Sequence, residues 1–177
     1  MTMPPRLRKA VLSTHVMTSV GWLGAVLAYV ALDVTAVVST DVDRVRAAYV
    51  AMDVTITYAI VPLALAAVII GIVNALGTSW GLFRHYWVLV KLLLTLVATT
   101  VLLLEARTIR SLAETAGSGA DPRELPGSLP HSIGGLVVLL IVTILSIYKP
   151  TGLTRYGWRK QQERQGRQRE ESSALAA

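Results

Sequence analysis

The chain has 177 residues, of which 53% are hydrophobic and only 16% charged, and its mean hydropathy is +0.55. A soluble domain carries about 25% charged residues, so the composition excludes an ordinary soluble globule, and the length suits one compact unit rather than two. There is no cysteine, which excludes disulfides, thiolate metal sites, iron–sulfur clusters and cysteine nucleophiles. The formal charge is +6, but the basic residues sit at helix ends and in the tail, which is a membrane-orientation pattern and not a nucleic-acid footprint.

Four apolar stretches reach the length of about 20 residues that a bilayer requires: residues 10–32, 48–75, 86–105 and 131–149. The first follows Arg6, Arg8 and Lys9. It is too long for the apolar segment of a secretion signal, has no clear cleavage site and contains His15, so it reads as an uncleaved helix. The second carries Pro62 near its middle, which predicts a kink or tilt. The loop after the third is the longest. Residues 107–116 are able to continue the third helix, and Gly117, Gly119, Pro122, Pro126, Gly127 and Pro130 then break it. After Lys149 and Pro150, Tyr156 and Trp158 suit an interfacial anchor, and the tail beyond Lys160 reads as disordered or loosely helical.

Eleven basic residues fall on one side of these spans: Arg6, Arg8, Lys9, Arg84, Lys149, Arg155, Arg159, Lys160, Arg164, Arg167 and Arg169. Five fall on the other: Arg44, Arg46, Arg107, Arg110 and Arg123. The richer side is expected to be cytoplasmic. The expected fold is therefore all-α: a membrane-embedded, up-down-up-down four-helix bundle over residues 1–150, in the plasma membrane with both termini cytoplasmic, followed by a basic tail over 151–177. Its expected partners are the lipid bilayer and a membrane-protein partner or a second copy of itself, with no nucleic acid.

Ionisable groups inside a span cost a few kcal/mol on insertion scales and tend to face a bundle interior. At 100° per residue, His15, Ser19, Trp22, Tyr29 and Asp33 share one face of the first helix, with Gly21, Gly24 and Ala28 opposite. Tyr49, Asp53 and Thr57 align on the second, with Gly71 in the same direction. Trp87, Lys91, Thr95 and Glu105 align on the third. The fourth offers a weaker stripe of His131, Gly135, Val138 and Val142. The orientation places His15, Lys91, His85 and Asn74 in the cytoplasmic half, and Asp33, Asp53, Glu105 and His131 in the outer half. Each has a plain structural alternative. His15 is then a hydrogen-bonded core histidine, Lys91 snorkels to the surface from about 9 Å inside, and Asp53 caps its helix or pairs with Arg44 or Arg46. Asp33 and Glu105 are then solvated boundary residues, and Trp22 and Trp87 packing residues. No phosphate-cradling loop, nucleophile elbow or paired-histidine metalloprotease motif occurs.

Could the histidines hold haem? His131 lies across the membrane from His15, so the two cannot share an iron. His15 lies roughly 7 Å deeper than His85, so a single His15 ligand, with Lys91 or Arg84 facing the propionates, fits the depths better than a bis-histidine site. Copper has less support, because Met17 and Met52 fall in opposite halves.

The run His15-x6-Trp22-Leu23-Gly24 resembles the first-helix signature of copper-resistance-D-like membrane proteins, and the first helix of HemJ-type protoporphyrinogen oxidases is similar. Tyr86-Trp87-Val88-Leu89-Val90-Lys91-Leu92 resembles the third-helix segment of the same families, and Gly71 with its short loop to Gly81 also fits. Residues 6–160, including Trp80-Gly81-Leu82-Phe83-Arg84-His85-Tyr86-Trp87 and Tyr148-Lys149-Pro150, look like a group of uncharacterised actinobacterial four-helix integral membrane proteins. The HemJ resemblance implies a functional pair at His15 and Lys91 with b-type haem. Two departures, Glu105 or a neighbour in place of an outer-end histidine and a shorter glycine spacing after Trp22, bear against oxidase activity more than against cofactor binding.

Three functions are thus expected to compete. One is a haem-b or redox membrane protein with His15 as iron ligand and Lys91, Trp22, His85 and Arg84 around the cofactor. The second is a metal or small-solute transport accessory receiving its cargo at Asp53, Glu105 and His131. The third is an assembly protein that packs through Gly21, Gly24 and Ala28.

Overall fold

Helix starts and stops follow local chemistry. The computed structural model describes residues 3–77, 82–119, 121–150 and 152–176. Four helices there are long and apolar enough to cross a membrane: the first span Pro5–Val38, the second Val42–Gly77, the third Tyr86–Gly117 and the fourth Leu129–Tyr148. Pro5 opens the first, where a missing N–H costs nothing. Asp41 caps the second, its carboxylate accepting from the amides of Asp43 at 3.0 Å and Arg44 at 3.4 Å. The fourth ends at Lys149, which adopts a left-handed conformation (φ 43°) ahead of Pro150.

The first three spans have 34, 36 and 32 residues, so at 1.5 Å per residue each is about 50 Å long and projects beyond a hydrocarbon core of about 30 Å. The apolar stretches read from sequence are the central parts of the first two and the first two-thirds of the third, and residues 107–116 do continue the third helix. The tail also forms a helix, Arg155–Ala176. Its Gln, Arg and Glu residues are good helix formers, and Lys160 pairs with Glu163 at 3.2 Å, which adds helical order to a composition that reads as loose.

Pro62 leaves its mark one turn earlier. With no N–H it cannot donate to the Tyr58 carbonyl, and its ring presses on that group. The helix widens into a π-turn over Ile56–Ile60, and the Val61 amide donates to Ile56, five residues back. Ile56 and Ile60 remain buried, packed with Met52 and Ala64 against Trp22, Val26 and Tyr29 of the first span. A second cluster of Ala36, Val45, Ala48, Tyr49, Ala113 and Ala116 lies beyond it.

The accessible surface is 11229 Å², whereas a folded soluble monomer of 19.1 kDa exposes about 8,400 Å². Exposed Leu, Val and Ile side chains along all four spans contribute to the excess, as lipid-facing helices do.

Two sets of contacts tie the helix ends together. At one end the Met3 amide donates to Gly77, Tyr86 to Gly152, and Thr154 to Arg84. The Thr154 hydroxyl also donates to the Phe83 carbonyl at 2.6 Å and accepts from the Gly157 amide at 3.1 Å. At the other end Arg46 donates to the Ala116 carbonyl at 2.8 Å and Tyr49 to that of Pro126 at 3.4 Å. Arg123 grips Asp121 beside them, and those hydrogen bonds hold the Asp121 carboxyl down at about 2.

Gly157 has the tightest backbone approach, because a Cβ there would collide with the Arg84 carbonyl. Gly157→Ala is expected to release the start of the tail from residues 83–86. Limited proteolysis of the detergent-purified protein should then cut near 150–160 several-fold faster than in the parent protein, with the four spans intact.

Candidate functional site

The most buried ionisable group is Asp33, which is fully shielded from solvent. Its Oδ2 accepts from the hydroxyls of Ser128 at 2.8 Å and Ser132 at 2.7 Å. Both serines belong to the start of the fourth span, where the positive end of the helix dipole also favours a carboxylate. Asp33 Oδ1 has no hydrogen-bond partner. Tyr29, one turn back on the first span, reaches Ser128 at 3.3 Å. The expectation of a solvated Asp33 is thus corrected. The first span continues to Val38 and the fourth begins at Leu129, so what reads as a boundary position lies between two helices.

Beside this layer a cavity of about 310 Å³ runs between the spans. The π-turn residues Ile56 and Ile60 form one wall and Trp22, Val26 and Tyr29 another. Along the third span it extends from Leu94 to Glu105, about 16 Å by helix rise. Its walls are apolar except at one end, where Glu105, His131 and Ser132 gather. Glu105 is only 17% exposed at its side chain, and His131 Nδ1 stands 3.9 Å from its Oε1. Two outer-layer residues expected from sequence therefore come together. The third, Asp53, does not line the cavity. It faces Arg110 at 3.9 Å and Thr57 at 3.4 Å, rather than the expected Arg44 or Arg46, and Arg46 pairs with Asp43 instead.

On the other side of the cavity, His15 lies against Gly71, where an added Cβ would stand 2.9 Å from the imidazole Cε1. Gly71 is therefore the notch that seats the ring. His15 Nδ1 is buried without a hydrogen-bond partner, and Lys91 is near enough to interact electrostatically. Lys91 Nζ donates to Ser146 Oγ on the fourth span at 2.9 Å. His85 stacks obliquely near Trp87, ring centroids 6.4 Å apart, and the Arg84 carbonyl accepts from Thr154. Trp80 and Gly81, part of the resemblance, lie outside the described residues.

Of the residues expected around a haem, only Trp22 lines the cavity; His15, Lys91, Arg84 and His85 do not. Among the described residues no three His, Asp or Glu side chains converge as a metal-binding group. On the small-residue face, a Cβ at Gly21 would meet Leu63 of the second span at 3.5 Å and one at Gly24 meets nothing.

A sequence reading that starts the fourth helix at residue 131 leaves Ser128 outside it, and its stripe of His131, Gly135, Val138 and Val142 passes over Ser132 and Ser146. Ser128 and Ser132 are one turn apart, and Ser146 follows four turns later on the same side. Small hydroxyls at helical spacing are a faint signal, because Ser also satisfies itself on its own helix, as Ser146 does with the Val142 carbonyl.

Comparison of the chain with protein-family models, curated proteins and solved structures found no match. The resemblances rest on the quoted residues alone.

Asp33→Ala strands two buried hydroxyls and is expected to destabilise the protein by about 1–3 kcal/mol. Replacing Ser128 and Ser132 together by Ala leaves a buried carboxylate unpaired and is expected to cost more, about 3–5 kcal/mol. Reversible denaturation in mixed micelles reads both. Equal stability of the double-serine variant and the parent would show that the carboxylate is not held by these hydroxyls.

Proposed function

We propose that this chain is a plasma-membrane protein whose four spans alternate in direction, with both termini cytoplasmic, and that it binds a lipid-soluble small molecule within the bilayer. The cavity between Trp22, the π-turn and the Glu105–His131 end carries the reading. Apolar cavities with a few convergent polar groups are the usual form of a small-molecule site, and π-turns recur at functional sites. Depth supports a ligand drawn from lipid, since the walls belong to spans whose outer faces are apolar. Alternation of the spans is supported by the contacts joining Met3 to Gly77 and Arg84 to Thr154, and the orientation by eleven basic residues against five.

The small-solute transport reading shares Glu105 and His131 but expects Asp53 to join them, and Asp53 is engaged with Arg110 elsewhere. The haem reading is favoured by one observation, the unpartnered Nδ1 of His15, but of its expected residues only Trp22 lines the cavity. A Soret band in the purified protein, lost in His15→Ala, would favour haem over the reading proposed here.

The chain has four tryptophans and no cysteine, which suits two tests. With Trp80, Trp87 and Trp158 replaced by Phe, the buried Trp22 reports on the cavity. Brominated lipophiles in nanodiscs are expected to quench it saturably, and Gly135→Leu, whose side chain enters open space, is expected to abolish saturation. Quenching that rises linearly and ignores Gly135→Leu would overturn the binding reading. For orientation, Ser118→Cys should react with an impermeant maleimide on intact cells and Ser173→Cys only after permeabilisation; the reverse pattern would invert the topology.

A further inference from the structure

The polar end of the cavity has a hydrogen-bonding sense. Ser128 spends its one hydroxyl proton on Asp33 at 2.8 Å, and Ser132 has only acceptors for its own, Asp33 at 2.7 Å and the Leu129 carbonyl at 3.1 Å, so neither proton is left for the cavity. The proton shared between Tyr29 and Ser128 must then come from Tyr29, which is left with oxygen lone pairs only. Ser132 likewise presents lone pairs. Glu105 adds a carboxylate, and His131 turns its Nδ1 towards that carboxylate. This end is therefore rich in acceptors and poor in donors, and Asp33, out of the ligand's reach, sets that polarity through the two serines.

The mouth of the cavity is lateral. The exposed lining residues are Val97 and Val101 of the third span and Pro130, His131 and Gly134 of the fourth. A Cβ at Gly134 or Gly135 meets no neighbour, so the slot between these two helices is open at its rim. The cavity spans about 16 Å along the third span, from Leu94 to Glu105, and is apolar away from the end held by Glu105, His131 and Ser132.

We infer that the occupant is a single-chain amphiphile of the surrounding leaflet that slides in sideways between the third and fourth spans. It lays its hydrocarbon chain against Trp22, Ile56 and Ile60 and donates a hydroxyl or amine hydrogen from its head to Glu105. A carboxylate or phosphate head is rejected, because it brings acceptors and negative charge to a set of acceptors. This inference rests on the binding reading above and specifies its ligand class.

The probe is the same single-tryptophan protein in nanodiscs of zwitterionic lipid, titrated with dibrominated C18 molecules that share a chain and differ in head: alcohol, primary amine or carboxylic acid at pH 8. A brominated sterol supplies a rigid hydroxyl-bearing comparison. Alcohol and amine are expected to half-saturate Trp22 quenching at concentrations about tenfold or more below the acid, a difference of about 1.4 kcal/mol or more. Glu105→Gln, which removes the charge but keeps a hydrogen-bonding side chain, should bring the acid to within about threefold of the alcohol. Asp33→Asn, which can donate to a serine and so free a serine hydrogen for the cavity, should move the acid in the same direction. Equal half-saturation by all three chains, unchanged in Glu105→Gln, overturns the head assignment while leaving an apolar site in place. Tighter binding of the sterol overturns the single-chain assignment. Saturation by none of the probes overturns the binding reading itself.

Discussion

A carboxylate buried between two apolar helices has no water to turn to, and the end of the structure where the first span finishes and the fourth begins is organised around that constraint at Asp33. Its desolvation is tolerable only if hydrogen bonds replace the lost solvent. Ser128 and Ser132 do so, and in doing so they fix the rotation and depth of the fourth span against the first. Tyr29 joins through Ser128, and the same fourth-span turn places His131 beside Glu105. One acceptor thus sets helix register, the closeness of two ionisable groups and the hydrogen-bonding sense of a cavity wall.

The cavity itself traces to a proline. Pro62 removes one backbone donor in the middle of a span, and the helix answers with a π-turn instead of a simple break. The widened turn keeps Ile56 and Ile60 buried and places both in the cavity wall. Small residues do the remaining shaping: Gly134 and Gly135 leave the rim open where larger side chains would close it.

A second polar layer lies on the other side of the cavity, with His15 seated in the Gly71 notch and Lys91 joined to Ser146. This layer ties the first span to the second and the third to the fourth, as Asp33 ties the first to the fourth. The apolar cavity between the layers separates them, so neither passes a proton or ion directly to the other through the contacts described.

The sequence by itself determined the four apolar spans, because hydropathy and backbone self-sufficiency in lipid are local properties. It also placed His15, Trp22, Tyr29 and Asp33 on one helix face, since a helix repeats every 3.6 residues whatever surrounds it. What only the tertiary structure decided is which of those faces meet. Asp33 finds Ser128 and Ser132, Lys91 finds Ser146, and Asp53 finds Arg110 rather than Arg44 or Arg46. Partner choice depends on the rotation, tilt and length of neighbouring helices. A π-turn at Pro62 and a fourth helix beginning before His131 alter those quantities by a fraction of a turn, and that is enough to exchange one partner for another.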